Sequence, residues 1–289
     1  MSNIAIVTDS NSGISQMQAD VLKHVYVVPM PFMIQGQEYF EDINLTVPEF
    51  FRLMGEDCEI ITSQPSPDSV MSLWDRLLKE YEAIVYLPMS SSLSGSCQTA
   101  MMLAEEYDGR VQVVDNQRIS VTLRQSVLDA VALSKAGYPA EQIKKLLEED
   151  ALNSSIYIML DTLYYLKKGG RITPAAAALG AILRIKPVLQ IQGGKLDAFA
   201  KARTSSQGKS LMLNALHSDL EKRFGGASNY NYKLFIAHTQ NEAAAFALKN
   251  ELALKYPEAE IYMDHLPLSI SCHIGPGAIG VGCCRKFSV

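Results

Sequence analysis

AIVYLPMSSSLSGS, residues 83–96, is the stretch that decides the fold. Its first half is an apolar run of strand length, Ala83 to Met89, and its second half is a hydroxyl-rich loop, Ser90 to Ser96. Helical spacing resumes through Ala100 to Tyr107. Strand, loop and helix in that order make one unit of an alternating α/β chain. Working outward, Ile4 to Thr8 reads as a strand entering a turn at Asp9, Ser10, Asn11 and Gly13. Val111 to Val114 is the next strand, ending at Asp115, and two helices follow, Ser120 to Lys135 and Pro139 to Glu149. Upstream, Glu59 to Thr62 is a short strand, and Ser66 with Pro67 caps a helix carrying Val70, Leu73, Trp74, Leu77 and Leu78. Tyr26 to Ile34 holds Pro29 and Pro31, which predicts an edge or irregular strand. The alternation predicts a doubly wound, mostly parallel sheet.

The second half changes character. Ile156 to Leu160 is apolar, Lys167 to Arg171 is a basic turn, and a helix starts at Thr173 and Pro174. Lys186 to Gln192 and Lys195 to Lys201 flank Gly193-Gly194, a hairpin signal. A helix near Lys209 to Phe224, a strand at Leu234 to His238, a helix at Glu242 to Tyr256 and a strand at Glu260 to Asp264 complete the pattern. The expectation is two α/β domains, residues 1–155 with a parallel sheet and 156–289 with a mixed sheet and helices.

Hydrophobic residues make up 48% of the 289 residues and the formal net charge is −5, so this is a globular chain without a basic surface for nucleic acid or anionic membrane. The start MSNIAIVTDS has neither a basic n-region nor a long apolar h-region, and no signal peptide is expected. Ala175 to Leu183 is the longest apolar candidate for a membrane span and falls far short of the roughly 20 residues one needs. Five cysteines without a C-x-x-C pair argue against a disulfide framework or structural zinc. Free thiols and a cytoplasmic location are expected.

Chemistry concentrates in a few loops. In an open parallel sheet, a hydroxyl-rich loop after a strand sits where ligands bind, and the following helix N-terminus favours an anion. TSQPSP, residues 62–67, takes the same place after its own strand, so two hydroxyl loops on neighbouring strands are expected to converge on one phosphate or carboxylate. Taken singly, each is also a plain helix cap. KKGGRI, residues 167–172, reads as a surface hairpin or a C-cap with solvated charge; its Arg171 and the Arg203 of ART, residues 202–204, form a weak signal for an anion or an acidic partner. HIGPGAIG, residues 273–280, contains a formal G-x-G-x-x-G. The few residues left after Gly280 have no room for a dinucleotide fold, so the glycines serve close backbone approach or a tight turn. His273 beside them is ambiguous. Gly208-Lys209-Ser210 lacks the first glycine of a phosphate loop, no G-x-S-x-G elbow occurs, and the histidines lack metal-ligand spacing. Asp9 and Asp115, at the ends of strands on the same sheet edge, are expected to accept backbone or hydroxyl hydrogen bonds and to cap helices.

Taken together these motifs resemble the DegV family, which includes the fatty-acid-binding subunits of bacterial fatty acid kinase. The resemblance runs through TDS at 8–10, TSQPSP at 62–67, SSLSGS at 91–96 with Gln98, Asp115 with Ser120, and Thr162 with YLKKGGRI at 165–172. It continues through KPVL at 186–189, ART with Lys209, and HIGPGAIGV at 273–281. It implies two α/β domains with a long-chain fatty acid such as palmitate between them. The ligand residues it implies are Thr62, Ser63, Ser92, Ser94, Gly95 and His273, with Thr62 and Ser94 meeting the carboxylate. Arg171 and Arg203 are placed at the head group or at the face offered to the kinase catalytic subunit, which supplies ATP and metal. The implied protein has no catalytic residue, metal or cofactor of its own and carries acid or acyl phosphate. Cys97 stands where bulkier aromatic residues are common, so chain selectivity does not transfer. The competing readings are an enzyme acting on a small phosphorylated or carboxylated metabolite at the same loops, and a regulatory interaction module.

Overall fold

Alternating side chains along the first strand set the architecture. In β1 (Ile4–Asp9), Ala5 and Val7 join one apolar cluster while Ile4 and Ile6 join another. A strand that buries both faces needs helices on both sides, which is the doubly wound arrangement. The computed structural model describes residues 3–56, 58–179 and 185–287. The chain divides into two compact units: residues up to Ala151 with Pro267–Ser269 and the C-terminal residues from Phe287, and Leu152–Leu266 with Ile270–Lys286.

The first unit runs β1, α1 (Gln16–Leu22), β2 (Val25–Val28), β3 (Pro31–Ile34), β4 (Gln37–Phe40), α2 (Val47–Gly55), β5 (Ile60–Thr62), α3 (Pro67–Leu77), β6 (Ala83–Leu87), α4 (Ser96–Ala104), β7 (Val111–Val113), α5 (Ser120–Lys135) and α6 (Ala140–Glu149). Its main sheet is parallel, in the order β2-β1-β6-β7. Trp74 of α3 and Ala100 of α4 pack on one face; Leu123 and Val127 of α5 and Ile143 of α6 pack on the other.

The expected strand Tyr26 to Ile34 is two strands in two sheets. The break falls at Pro29 and Met30, since proline has no N–H for a continuous ladder. β3 leaves the parallel sheet and forms a separate antiparallel sheet, β4-β3-β5. β4 is polar and carries little sequence signal. Its hairpin turns on Gln35 and Gly36, both at positive φ (50° and 80°), the requirement of a two-residue I′ turn. This corrects the reading of the two hydroxyl loops as neighbours on one sheet: Thr62 ends β5 opposite Phe32 of β3, outside the parallel sheet.

The second unit comprises β8 (Ser154–Met159), α7 (Tyr164–Lys168), α8 (Pro174–Leu179), β9 (Lys186–Ile191), β10 (Leu196–Ala202), α9 (Ser205–Arg223), β11 (Tyr232–His238), α10 (Glu242–Lys255), β12 (Glu260–His265), α11 (Leu268–Ile274) and β13 (Ile279–Arg285), the first residues of α11 belonging to the first unit. Its sheet is mixed, in the order β10-β9-β8-β13-β11-β12, with only β11 and β12 parallel. Met212, Leu216 and Leu220 of α9 and Leu248 and Leu252 of α10 cover one face. β13 is the strand that the glycine-rich ending conceals. Gly282 lies so near β8 that a Cβ would stand 3.0 Å from the Ser155 carbonyl oxygen. Within the HIGPGAIG motif itself Gly280 comes as near, a Cβ there standing 3.1 Å from the Tyr157 carbonyl oxygen, so the expected close backbone approach is met inside a central strand. Gly208 of α9 likewise lets the helix settle on Met159. The apolar run from Ala175 to Leu183 is described only as far as Leu179. Among the described residues no helix is long and apolar enough to cross a membrane.

Candidate functional site

The hydroxyl loop after β6 hangs from the ends of three parallel strands. β1 connects onward to β2 on one side and pairs with β6 on the other, so the crevice beyond their carboxyl ends is a topological switch point. There the Thr8 hydroxyl donates to the Leu87 carbonyl at 2.8 Å. Asp9, fully buried, accepts from the Asn11 amide at 3.0 Å and from the Met89 amide at 2.9 Å. Burial pushes its carboxyl up to about 6, against the pull of these amides. From the β7 end, Asp115 accepts from the Ser91 amide at 3.2 Å, and the Arg118 carbonyl accepts from the Ser90 amide at 3.0 Å. Both carboxylates accept backbone amides, as the sequence leads one to expect; Asp9 caps the short helical turn Ser10–Ser12, whereas Asp115 holds a loop amide rather than the start of α5, whose cap position is Ile119.

Within the loop the serines divide their roles. Ser90 is buried; its hydroxyl accepts from the Ser92 amide and its carbonyl from the Ser94 amide, both at 3.2 Å. Ser92 and Gly95 are exposed and Ser94 is half-buried. Ser94 Oγ accepts from the Ser96 amide at 3.2 Å, the first amide of α4, and a hydroxyl in that role keeps its proton to donate. Cys97 follows in the first turn, completely buried, with burial pushing its thiol up to about 12, so it is a packing residue and no nucleophile.

The segment after β5 lies against this helix start. The Thr99 hydroxyl donates to Gln64 Oε1 at 3.2 Å, and a Cβ on Gly95 would stand 3.8 Å from the same oxygen. Thr62 is half-buried and Ser63 exposed, with the Ser63 amide donating to the Pro31 carbonyl at 3.3 Å. Between the two segments a crevice lined by Gln64, Tyr86, Ser96, Thr99 and Leu103 has about 10 Å³ of room, the space of a single water. A hydrocarbon tail does not fit there. Gln64 and Thr99 are the contact that sequence reading misses: Gln64 sits inside a motif read only for its hydroxyls, and Thr99 is one more polar residue on a helix.

The second unit gathers its own motifs. α7 ends in a Schellman cap, with Gly170 at φ 67° and the Arg171 amide donating to the Leu166 carbonyl at 3.0 Å. Arg171 is exposed and its Nη1 donates to the Gly169 carbonyl at 2.5 Å. His273, in the last turn of α11, packs on Gly169; burial, and then the charge of Arg171, push its imidazole down to about 4. It is therefore neutral near pH 7. Gly275 fits the ring of Tyr165, and Gly277 fits the carboxyl of Asp161, which pairs with Lys186 at 2.6 Å. Thr239 closes the turn: its hydroxyl donates to the Gly275 carbonyl at 2.6 Å and accepts from the Ala278 amide at 3.0 Å. KKGGRI, KPVL and HIGPGAIG thus meet around one turn. Arg203 stands on a different element, exposed at the junction of β10 and α9, where Thr204 caps the helix.

Among the described residues no group of histidine, cysteine, aspartate and glutamate is arranged to hold a metal ion. Cys58, Cys97, Cys272, Cys283 and Cys284 are free thiols.

A parallel sheet bearing a capped hydroxyl loop at its switch point, in one chain with a mixed sheet braced by glycines, defines a two-unit α/β protein. Comparison with known proteins places it more narrowly. The model of the family described as "Uncharacterised protein, DegV family" matches residues 3–286, and the chain belongs to that family. It is similar to a DegV domain-containing protein of Deinococcus radiodurans, 31% identical over 280 residues, covering 96% of this chain and 97% of the relative. Among solved structures it is similar to a DegV family protein from Thermus thermophilus described for fatty acid binding (32% identity, TM-score 0.89, 98% of this chain and 99% of that one). DegV of Bacillus subtilis, described as a fatty acid binding protein, aligns with 29% identity and a TM-score of 0.87 over 99% of this chain and 100% of that one.

Proposed function

We propose that this protein binds a long-chain fatty acid such as palmitate and presents its carboxyl group to a fatty acid kinase, doing no chemistry on it itself. The observation that carries the reading is the junction of the two hydroxyl segments: Gln64 joins the Thr62 segment to the first turn of α4, beside Ser94. The relatives from Thermus thermophilus and Bacillus subtilis, both described as binding fatty acid, support the choice of ligand.

The physics permits it. Sixteen carbons bring about 14 methylenes at ~0.8 kcal/mol each, on the order of 11 kcal/mol before the losses of ordering and immobilisation. A carboxylate removed from water needs donors, which hydroxyls supply without adding a formal charge. A neutral cradle at Thr62 and Ser94 also leaves the carboxylate free to attack a phosphoryl donor, where an arginine clamp would hold it back. Apolar contact then sets affinity and the hydroxyls set orientation. Ser63, beside Thr62, and Ser92 and Gly95, beside Ser94, are further ligand-binding residues of the two segments, and Arg171 and Arg203 are assigned to the surface the kinase reads. Free thiols fit a reducing cytoplasm.

Organic extraction of the purified protein followed by mass spectrometry tests the ligand. A fatty acid in the wild type that is lost from Thr62→Ala/Ser94→Ala supports the reading. Full retention and turnover in that double variant, or a phosphorylated metabolite in place of a lipid, overturns it.

A further inference from the structure

The root of the hydroxyl loop is unusually acidic for a place assigned to an anion. Asp9 holds the Met89 amide, Asp115 holds the Ser91 amide, and Glu148 Oε1 accepts from the Asp115 amide at 3.1 Å. The cations nearby are already engaged. Lys144 pairs with Glu148 at 3.0 Å, and Arg118 pairs with Asp150 at 2.8 Å. α5, which packs against β1 and the Ser10–Ser12 turn, brings Arg124. From β6 comes Tyr86 and from α4 Cys97, both of which feel the charge of Asp9; burial raises each of them well beyond neutral pH, so neither competes for a proton there. The Ser269 hydroxyl closes the other side by donating to Asn11 Oδ1.

We propose that Asp9 is a positioning residue of the head-group site, and that it takes up a proton from solvent when an acidic ligand binds beside Ser94. The inference rests on the reading of that loop as the carboxylate site. A new negative charge above a fully buried carboxylate disfavours its ionised form, and neutralising Asp9 relieves the repulsion. Burial already holds its carboxyl up at about 6, within reach of neutral pH. The transmission is short: Asp9 Oδ2 holds the Met89 amide, and the chain runs from Met89 directly into Ser90–Ser96. A neutral acid has one good acceptor oxygen instead of two, so its proton loosens the bond to Met89 or to Asn11. Ligand binding is thereby felt at the sheet edge, and pH is felt at the ligand.

The test is palmitate titration by calorimetry in buffers of different ionisation heat, with wild type and Asp9→Asn. Wild type is expected to take up about half a proton near pH 6.5 and to gain affinity about fivefold between pH 8 and pH 6, as one charge–charge coupling of about one pH unit requires. Asp9→Asn is expected to bind without that uptake, and its pH profile, with the ligand's own titration common to both proteins, is expected to be flat by comparison. Equal uptake in the two proteins, or binding by wild type with no uptake, overturns the inference while leaving the ligand reading intact. A wild type that binds no palmitate at any pH overturns both. Should Asp9→Asn not fold, the carboxyl-carbon resonance of Asp9 in the unaltered protein decides: its midpoint is expected to rise by about one pH unit with palmitate, and an unmoved midpoint defeats the proposal.

Discussion

His273 rests on Gly169 so closely that a Cβ at position 169 would stand 2.1 Å from its Nδ1 and 2.7 Å from its Cε1. No real Cβ tolerates that distance. Gly169→Ala is therefore expected to drive the imidazole out of its seat, at a cost of about 1–3 kcal/mol. Released from burial, His273 should titrate well above its present value of about 4. Imidazole NMR against pH checks this: an unmoved titration in Gly169→Ala would mean the ring was never held there.

The two units should respond to acid with opposite signs. Asp9 is raised from its ordinary value to about 6, so between about pH 4 and 6 the folded state holds a proton the unfolded chain has released. Its contribution to stability falls as pH rises through that window, by ~3 kcal/mol in all. His273 is lowered to about 4, so from about pH 6.5 down to 4 the unfolded chain gains a proton that the folded state refuses. Its contribution falls as pH falls. Denaturant unfolding of Asp9→Asn across pH 4–7.5 should show a steeper rise of stability with pH than the wild type; a parallel curve would refute the assignment.

Thr99→Val keeps shape and removes the donor to Gln64. Because Gln64 is exposed, stability should drop by no more than about 1 kcal/mol. Fatty acid retention should fall several-fold, since the two hydroxyl segments lose their tie. A Tm and an affinity measured together separate the two effects, and a loss of Tm without loss of affinity would remove Gln64 from the site.

Arg118 and Asp150 form a buried pair at 2.8 Å, with side chains 1% and 5% exposed. Arg118→Met removes the guanidinium from the buried Asp150 carboxyl and should cost about 3–5 kcal/mol. The Arg118 carbonyl also accepts from the Ser90 amide, so hydrogen exchange at Ser90 should quicken more than at β11. Equal changes at both would count against a local link to the loop.

Much of the scaffold is legible in the sequence. Ile4–Thr8 and Ala83–Leu87 are continuous apolar runs, and such runs between helices belong to a sheet buried on both faces. Caps at Ser66 and Thr173 announce α3 and α8 because their side chains satisfy amides a few residues on, whereas α9, expected near Lys209, starts at Ser205 behind a Thr204 cap that the sequence reading passes over. What escapes is of another kind. β4 is polar, and β13 is glycine-rich because β8 crowds it, so neither carries the apolar alternation that marks a strand. The site divides in the same way. Its hydroxyls stand out in the motifs, but the tie between Gln64 and Thr99 joins residues 35 apart, and no local pattern marks it.

The sequence by itself determined the alternation of strands and helices, the hydroxyl loops and the glycine turn, because hydrophobic period, caps and positive-φ glycines act within a few residues. Only the tertiary structure decided that Thr62 belongs to a separate small sheet, that Asp9 is buried beneath the Met89 amide, and that His273 seats on Gly169. Strand order, desolvation and close contact depend on which distant segments meet, and a one-dimensional pattern records none of these.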